Sequence, residues 1–201
     1  ESKDTNEIVN TVKQVVNNCI VSGDFNVDKS PFFDVDYLFI ALRAKSIGEK
    51  VGVKLSCNNV LENDEVCGEI FDAEMDIRNC DIIDEDVSND IKLGGDKGVR
   101  MKYPGYGAMK RLDTGLEIDR KIDMVIQSID FIYDKNGTYP ARDQSKEELQ
   151  EFIESLTEEN FRKLEAFVDN FPSFAVRVEA TCDKCGFEHN VRYTDFADFF
   201  L

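Results

Sequence analysis

Cysteine is the residue type whose spacing in this chain points most directly to chemistry. Cys182 and Cys185 form a C-x-x-C-G sequence, in which two thiolates on one turn can bind one metal ion while Gly186 adopts the positive φ that the turn requires. One such turn supplies two of the four ligands of a closed structural zinc site. Cys57 and Cys67 are candidates for the other two, because a glycine also follows Cys67. The sequence therefore predicts a zinc site made of two cysteine pairs.

The two pairs differ in spacing, and this leaves three interpretations open. Residues 58–66 separate Cys57 from Cys67, whereas two residues separate Cys182 from Cys185. The first interpretation is a zinc ribbon, the second is a ribbon that packs without metal, and the third is a redox pair at Cys182 and Cys185. The redox interpretation has less support, since a thioredoxin-type C-x-x-C begins a helix and residues 187–193 are typical of a strand.

The remaining cysteines and the single histidine are predicted to have ordinary structural roles. Cys19 falls on the apolar stripe of a helix, where a free cysteine behaves as a small hydrophobic residue, so we expect it in the core. Cys80 lies in an irregular acidic stretch and is interpreted as a spare thiol. His189 follows strand alternation and is expected to be a strand residue, not a ligand.

No sequence motif of a catalytic site is present. The chain has one histidine, and it has no Walker loop, no G-x-G-x-x-G and no H-E-x-x-H. General acid–base catalysis usually recruits histidine or carboxylates with perturbed pKa values. We therefore expect a protein without enzymatic activity.

The charge of the chain limits its partners. It has 41 acidic residues against 24 Lys and Arg, for a net charge of -17, and this repels the phosphate backbone of nucleic acids. Solubility alone and a basic protein partner are both open explanations. No run of about 20 apolar residues predicts a membrane span. Residues 1–7 are polar and acidic, unlike a signal peptide, so a reducing cytoplasm is expected, where disulfides are rare.

Hydrophobic periodicity predicts an α+β fold, in which helices pack on a small antiparallel sheet. We expect a single domain over residues 1–201. Within it, two Cys-bearing hairpins, residues 51–77 and 174–193, are expected to pair as a zinc-ribbon-like module. The predicted helices cover 6–21, a segment after Pro31 that ends near 46–48, 118–133, 145–156 and 158–170. Residues 145–148 match a capping box, which opens the fourth of these helices. The predicted strands cover 51–57, 70–77, 91–93, 99–103, 174–181 and 187–193.

Four stretches of the chain resemble one protein family. They are "VKQVVNNCI" (12–20), "FFDVDYLFIALRAKSIGEKV" (32–51), "GVRMKYPGY" (98–106) and the C-terminal cysteine pair followed by Phe199 and Phe200. In these the sequence resembles the baseplate hub subunit and hub assembly proteins of T-even-type bacteriophages. The resemblance implies that the protein helps to build the central hub by binding hub or tape-measure proteins, as a chaperone in the host cytoplasm during infection. A structural component retained in the virion baseplate is the alternative.

The same resemblance suggests partner-binding residues, which are Arg43, Lys45, Ser46, Glu49, Phe199 and Phe200. Structural roles are equally open for them: Arg43 can hold Glu49, and the terminal phenylalanines can dock on the body of the protein. A third function is a zinc-ribbon adaptor for nucleic acid or the transcription machinery. The acidic charge disfavours it, because such ribbons need a basic face.

Overall fold

The computed structural model describes residues 5–85, 87–111 and 117–194. The helices are α1 (Thr5–Cys19), α2 (Phe32–Ser46), α3 (Glu117–Ser128), α4 (Lys146–Glu154) and α5 (Glu158–Asp169). The strands are β1 (Lys50–Ser56), β2 (Ile70–Asp76), β3 (Cys80–Ile83), β4 (Asp90–Gly94), β5 (Lys97–Met101), β6 (Ile129–Asp134), β7 (Gly137–Pro140), β8 (Ser173–Thr181) and β9 (Glu188–Tyr193).

The chain divides into two compact units, each made of two chain segments. The helical unit comprises Glu1–Val35 and Asp84–Pro172, and the cysteine unit comprises Asp36–Ile83 and Ser173–Leu201. Both segments of the predicted ribbon-like module, residues 51–77 and 174–193, fall within the cysteine unit. The extent of one domain over the whole chain stays a prediction.

The helical unit packs helices on a four-stranded antiparallel sheet with the strand order β4-β5-β6-β7. Its core joins Val99 of β5 and Ile129 of β6 to Val125 of α3 and Leu164 of α5. α4 begins at the predicted capping box, in which the Ser145 side chain accepts from the amide of Glu148 and the Glu148 carboxylate accepts from the amide of Ser145. The α+β fold with helices on a small antiparallel sheet is therefore confirmed.

The predicted helix over residues 118–133 is wrong in its last five residues. α3 ends at Ser128, and Ile129 begins β6, which pairs with β5 and β7. Apolar residues at Ile126, Ile129 and Ile132 fit a helical period, but Ile129–Asp134 is also rich in β-branched and aromatic residues. Pairing with strands on both sides selects the extended backbone.

Cys19 and Cys80 lie in environments that differ from those predicted from the sequence. Cys19 is the last residue of α1 and is exposed, so its assignment to the core is wrong. The buried stripe of α1 runs instead through Val9, Val12 and Val16, one turn earlier. Cys80 begins β3, which pairs antiparallel with β8, so the irregular stretch expected there is a strand.

The cysteine unit contains two small sheets, a hairpin of β1 and β2 and a three-stranded sheet with the order β3-β8-β9. β1 shows the predicted alternation, with Val51, Val53 and Leu55 buried. These residues share one core with Phe71 and Met75 of β2 and with three residues of β8, which are Phe174, Val176 and Val178. Among the described residues, no helix is both long enough and apolar enough to cross a membrane.

Candidate metal centre

The four cysteines occupy equivalent positions on two hairpins. Cys57 follows β1 directly, and Cys182 follows β8 directly. In each hairpin the amide of the glycine after the second cysteine donates to the carbonyl of the first: Gly68 to Cys57 at 3.0 Å, and Gly186 to Cys182 at 2.9 Å. Both glycines have the positive φ predicted for such turns, 64° and 71°. The two turns therefore share a closing hydrogen bond and a glycine conformation despite their different lengths.

The hairpins bring the four thiols together. The Sγ atoms of Cys57, Cys67, Cys182 and Cys185 all lie within 4.8 Å of one another. Cys57 is 3.6 Å from Cys185, Cys67 is 3.9 Å from Cys182, and all four thiols are free. A tetrahedral zinc ion with Zn–S bonds of about 2.3 Å separates its sulfur ligands by about 3.8 Å. The spacing of these thiols therefore fits a metal ion such as zinc.

Three of the four sulfurs each accept a hydrogen bond from one backbone amide. The amides of Asn59, Glu69 and Phe187, each two residues after a cysteine, donate to the sulfurs of Cys57, Cys67 and Cys185. Such bonds stabilise thiolates, and in metal sites they orient the ligands. The amide of Phe187 lowers the pKa of Cys185 to about 6.

On the hairpin of Cys57 and Cys67, burial raises the thiol pKa values. It raises the pKa of Cys57 to about 12. For Cys67 the amide of Glu69 acts to lower the pKa, but burial and the thiol of Cys185 outweigh it, and the pKa is raised. Four thiolates packed this closely in a buried site need a cation to compensate their charge, and a divalent metal ion supplies that.

His189 lies beside the sulfurs. It is on β9, as the sequence predicts, but it is buried, and its Nε2 is 3.3 Å from the Sγ of Cys57. The rings of Phe71 and Phe187 flank the imidazole at centroid distances of 5.4 Å and 4.9 Å. A ring nitrogen that carries a proton can donate to the Cys57 sulfur, so His189 is placed to act, through Cys57, on a metal ion bound here. Strand alternation alone does not reveal this contact.

The described members of the predicted partner-binding set lie at the end of α2 or just after it. Lys45 and Ser46 are exposed on the last turn of α2, and the Ser46 hydroxyl donates to the carbonyl of Leu42. Arg43 is half-buried on the same turn. The Glu49 carboxylate pairs with Arg78 at 2.8 Å. Phe199 and Phe200 lie outside the described residues.

Fold and site together define an α+β protein with a ribbon-like module whose four cysteines can hold a metal ion. A family model described as T4 bacteriophage base plate protein matches residues 1–201. The chain therefore belongs to the T4 bacteriophage base plate protein family, which confirms the resemblance to T4-type baseplate proteins, whereas the hub assignment stays a prediction. No curated protein and no solved structure matches the chain.

Proposed function

We propose that this protein is an assembly factor for the central hub of a T4-type baseplate, and that it acts by binding hub or tape-measure proteins as a chaperone. The match of the baseplate family to residues 1–201 carries this proposal. The role is one of binding without covalent chemistry. In this proposal the protein works in the cytoplasm of the infected host cell.

The charge of the chain supports a chaperone role. A net charge of -17 keeps a protein soluble and steers basic surfaces toward it. Hub and tape-measure proteins expose, before assembly, surfaces that are later buried, and a soluble acidic partner can cover them. The last turn of α2 is a proposed contact, since Lys45 and Ser46 are exposed there and Ile47 is 80% exposed. Arg43 on the same turn and Glu49 just after it complete the proposed contact.

Zinc is the proposed structural cofactor of the cysteine unit. Cys57, Cys67, Cys182 and Cys185 would hold it as four thiolates. Bound zinc in such a closed site contributes folding energy and performs no chemistry on a substrate. It would hold the β1–β2 hairpin against the β8–β9 hairpin and so fix the surfaces that these hairpins present.

The test compares infections by wild-type phage and by phage that lack this protein. We expect the deletion to abolish complete baseplates while the other structural proteins are still synthesised. Sedimentation and electron microscopy of the lysate would measure the loss. Normal baseplate yield without the protein would overturn the assembly role.

Quantitative mass spectrometry separates the chaperone from a retained component. A chaperone is expected with hub or tape-measure proteins in precursor complexes and is expected to be missing from purified virions. A fixed copy number in virions would instead assign the protein to the finished baseplate.

A further inference from the structure

The insert between Cys57 and Cys67, residues 58–66, is longer than metal binding requires. The hairpin of Cys182 and Cys185 brings two thiols to the same site with two intervening residues. Both turns close with the same glycine-to-carbonyl hydrogen bond. The turn of Cys182 and Cys185 thus shows that two intervening residues are enough to place two thiols, so most of residues 58–66 are not needed for that.

The insert is a small hairpin in its own right. Val60 and Val66 form an isolated antiparallel bridge, and the amide of Cys67 donates to the carbonyl of Asn59 at 2.8 Å. The amide of Leu61 donates to the carbonyl of Glu65 at 2.8 Å. Leu61 also packs against the core of the cysteine unit. The surface of the insert is thus organised before any partner arrives, which lowers the entropic cost of binding.

That surface combines an exposed pair of valines with three exposed acidic side chains. Val60 is 59% exposed and Val66 is 60% exposed. Glu62, Asp64 and Glu65 are exposed between them. None of these three carboxylates takes part in the ion pairs described for the cysteine unit. The ion pair closest to the insert in sequence joins Lys184 to Glu69.

We propose that the insert is a docking element for a basic segment of another baseplate protein, one that presents an apolar residue flanked by lysine or arginine. The valine pair would bury against the apolar residue, and the three carboxylates would select positive charge and speed the encounter. Charge complementarity identifies this occupant, because a second copy of this chain with a net charge of -17 would be repelled. The identity of the partner as a baseplate protein rests on the proposed function.

A turn exchange tests the proposal. Residues 58–66 are replaced by Asp-Lys, the sequence of residues 183–184, so that both pairs become C-x-x-C. A milder variant, Val60→Ser with Glu62→Lys, changes the surface without shortening the turn. Val21→Ser with Asp24→Lys is the matched control, since Val21 is 97% exposed and Asp24 is exposed in the helical unit.

We expect the Val60→Ser, Glu62→Lys variant to retain the metal content of wild type. Both insert variants are expected to lower the yield of baseplates about tenfold or more, as loss of an interface anchor does. The control is expected to assemble normally. A photo-crosslinking residue in place of Val60 is expected to react, in infected cells, with a baseplate protein at a peptide rich in Lys or Arg.

Wild-type baseplate yield from the Val60→Ser, Glu62→Lys variant would overturn the docking role, as would crosslinks to acidic peptides. If baseplates form normally even without the protein, the proposed function itself fails. The deletion phage therefore distinguishes the two failures.

Discussion

The sulfur atoms of Cys57 and Cys185 lie 3.6 Å apart, although the two residues are 128 positions apart in the chain. Bringing such distant residues together costs conformational entropy, and a link between them stabilises the fold most when the loop it closes is long. A metal ion bound by these residues would be such a link. It would join the β1–β2 hairpin to the C-terminal β8–β9 hairpin.

We expect the purified protein, kept reduced, to bind one zinc ion per chain. A ligand at about 1,000 times its Kd stabilises the folded state by about 4 kcal/mol, so removing zinc with a chelator should lower the Tm by about 10 °C or more. Elemental analysis and thermal unfolding measure both effects. Cys182→Ser is expected to lose the metal, whereas Cys80→Ser, in the same unit but outside the group of four, is expected to keep it. Equal zinc content in these two variants would contradict the site.

His189→Ala is expected to weaken zinc binding about 10- to 100-fold, because the imidazole contacts the Cys57 sulfur and not the metal position. Competition with a chelator of known affinity would measure the change. Asn190→Ala is the control, since Asn190 is the exposed neighbour on β9. Complete loss of the metal would instead make His189 a direct ligand, and unchanged affinity would remove it from the site.

Burial raises the pKa of Asp36 on α2 to about 7 from its ordinary 3.8. A raised carboxyl pKa means that the folded state holds this proton more tightly than the unfolded state, so Asp36 destabilises the fold above pH 7. This destabilisation should decline from pH 7 downward and vanish below about pH 4. We expect Asp36→Asn to be more stable than wild type by on the order of 2 kcal/mol at pH 8 and equal to it near pH 4. Urea unfolding at both pH values measures the difference, and a pH-independent effect would refute this explanation.

Gly105 and Gly52 should respond differently to substitution by alanine. A methyl group on Gly105 would overlap the backbone carbonyl of Asp28, whereas one on Gly52 would meet no atom within 4 Å. The carbonyl of Asp28 belongs to the backbone and cannot move out of contact with the added methyl group by a side-chain rotation. Gly105→Ala should therefore cost about 1–3 kcal/mol of folding free energy. Gly52→Ala in β1 should be neutral or slightly stabilising, since alanine loses less backbone entropy on folding. Chemical denaturation would measure both, and equal effects would argue against close packing at Gly105.

Phe167 is the buried centre of an aromatic group in the helical unit. It is 2% exposed, stacks on Tyr103 at 5.5 Å and meets Phe171 edge-on at 5.5 Å. Phe167→Ala should cost about 3–5 kcal/mol, because it leaves a cavity among packed aromatic rings. Phe25→Ala, at a side chain that is 40% exposed, should cost much less. Similar losses in the two variants, measured by urea unfolding, would contradict the central role of Phe167.

Local sequence was sufficient where a short motif determines its own geometry. The capping box at Ser145 and the glycine turns after Cys67 and Cys185 were all predicted from a few neighbouring residues. Family resemblance was equally readable, because it depends on residue order alone. By contrast, β6 was missed: the helical spacing of its isoleucines is outweighed by hydrogen bonds from β5 and β7, which no local window contains.

The sequence by itself determined the two cysteine pairs, the acidic charge and the baseplate family. Tertiary structure decided that the four sulfurs meet within 4.8 Å, that His189 touches one of them, and that Cys19 is exposed. The physical reason is that contacts between residues more than a hundred positions apart depend on how sheets pack. Packing depends on the shapes of buried side chains from several elements at once, whereas periodicity reports one element at a time.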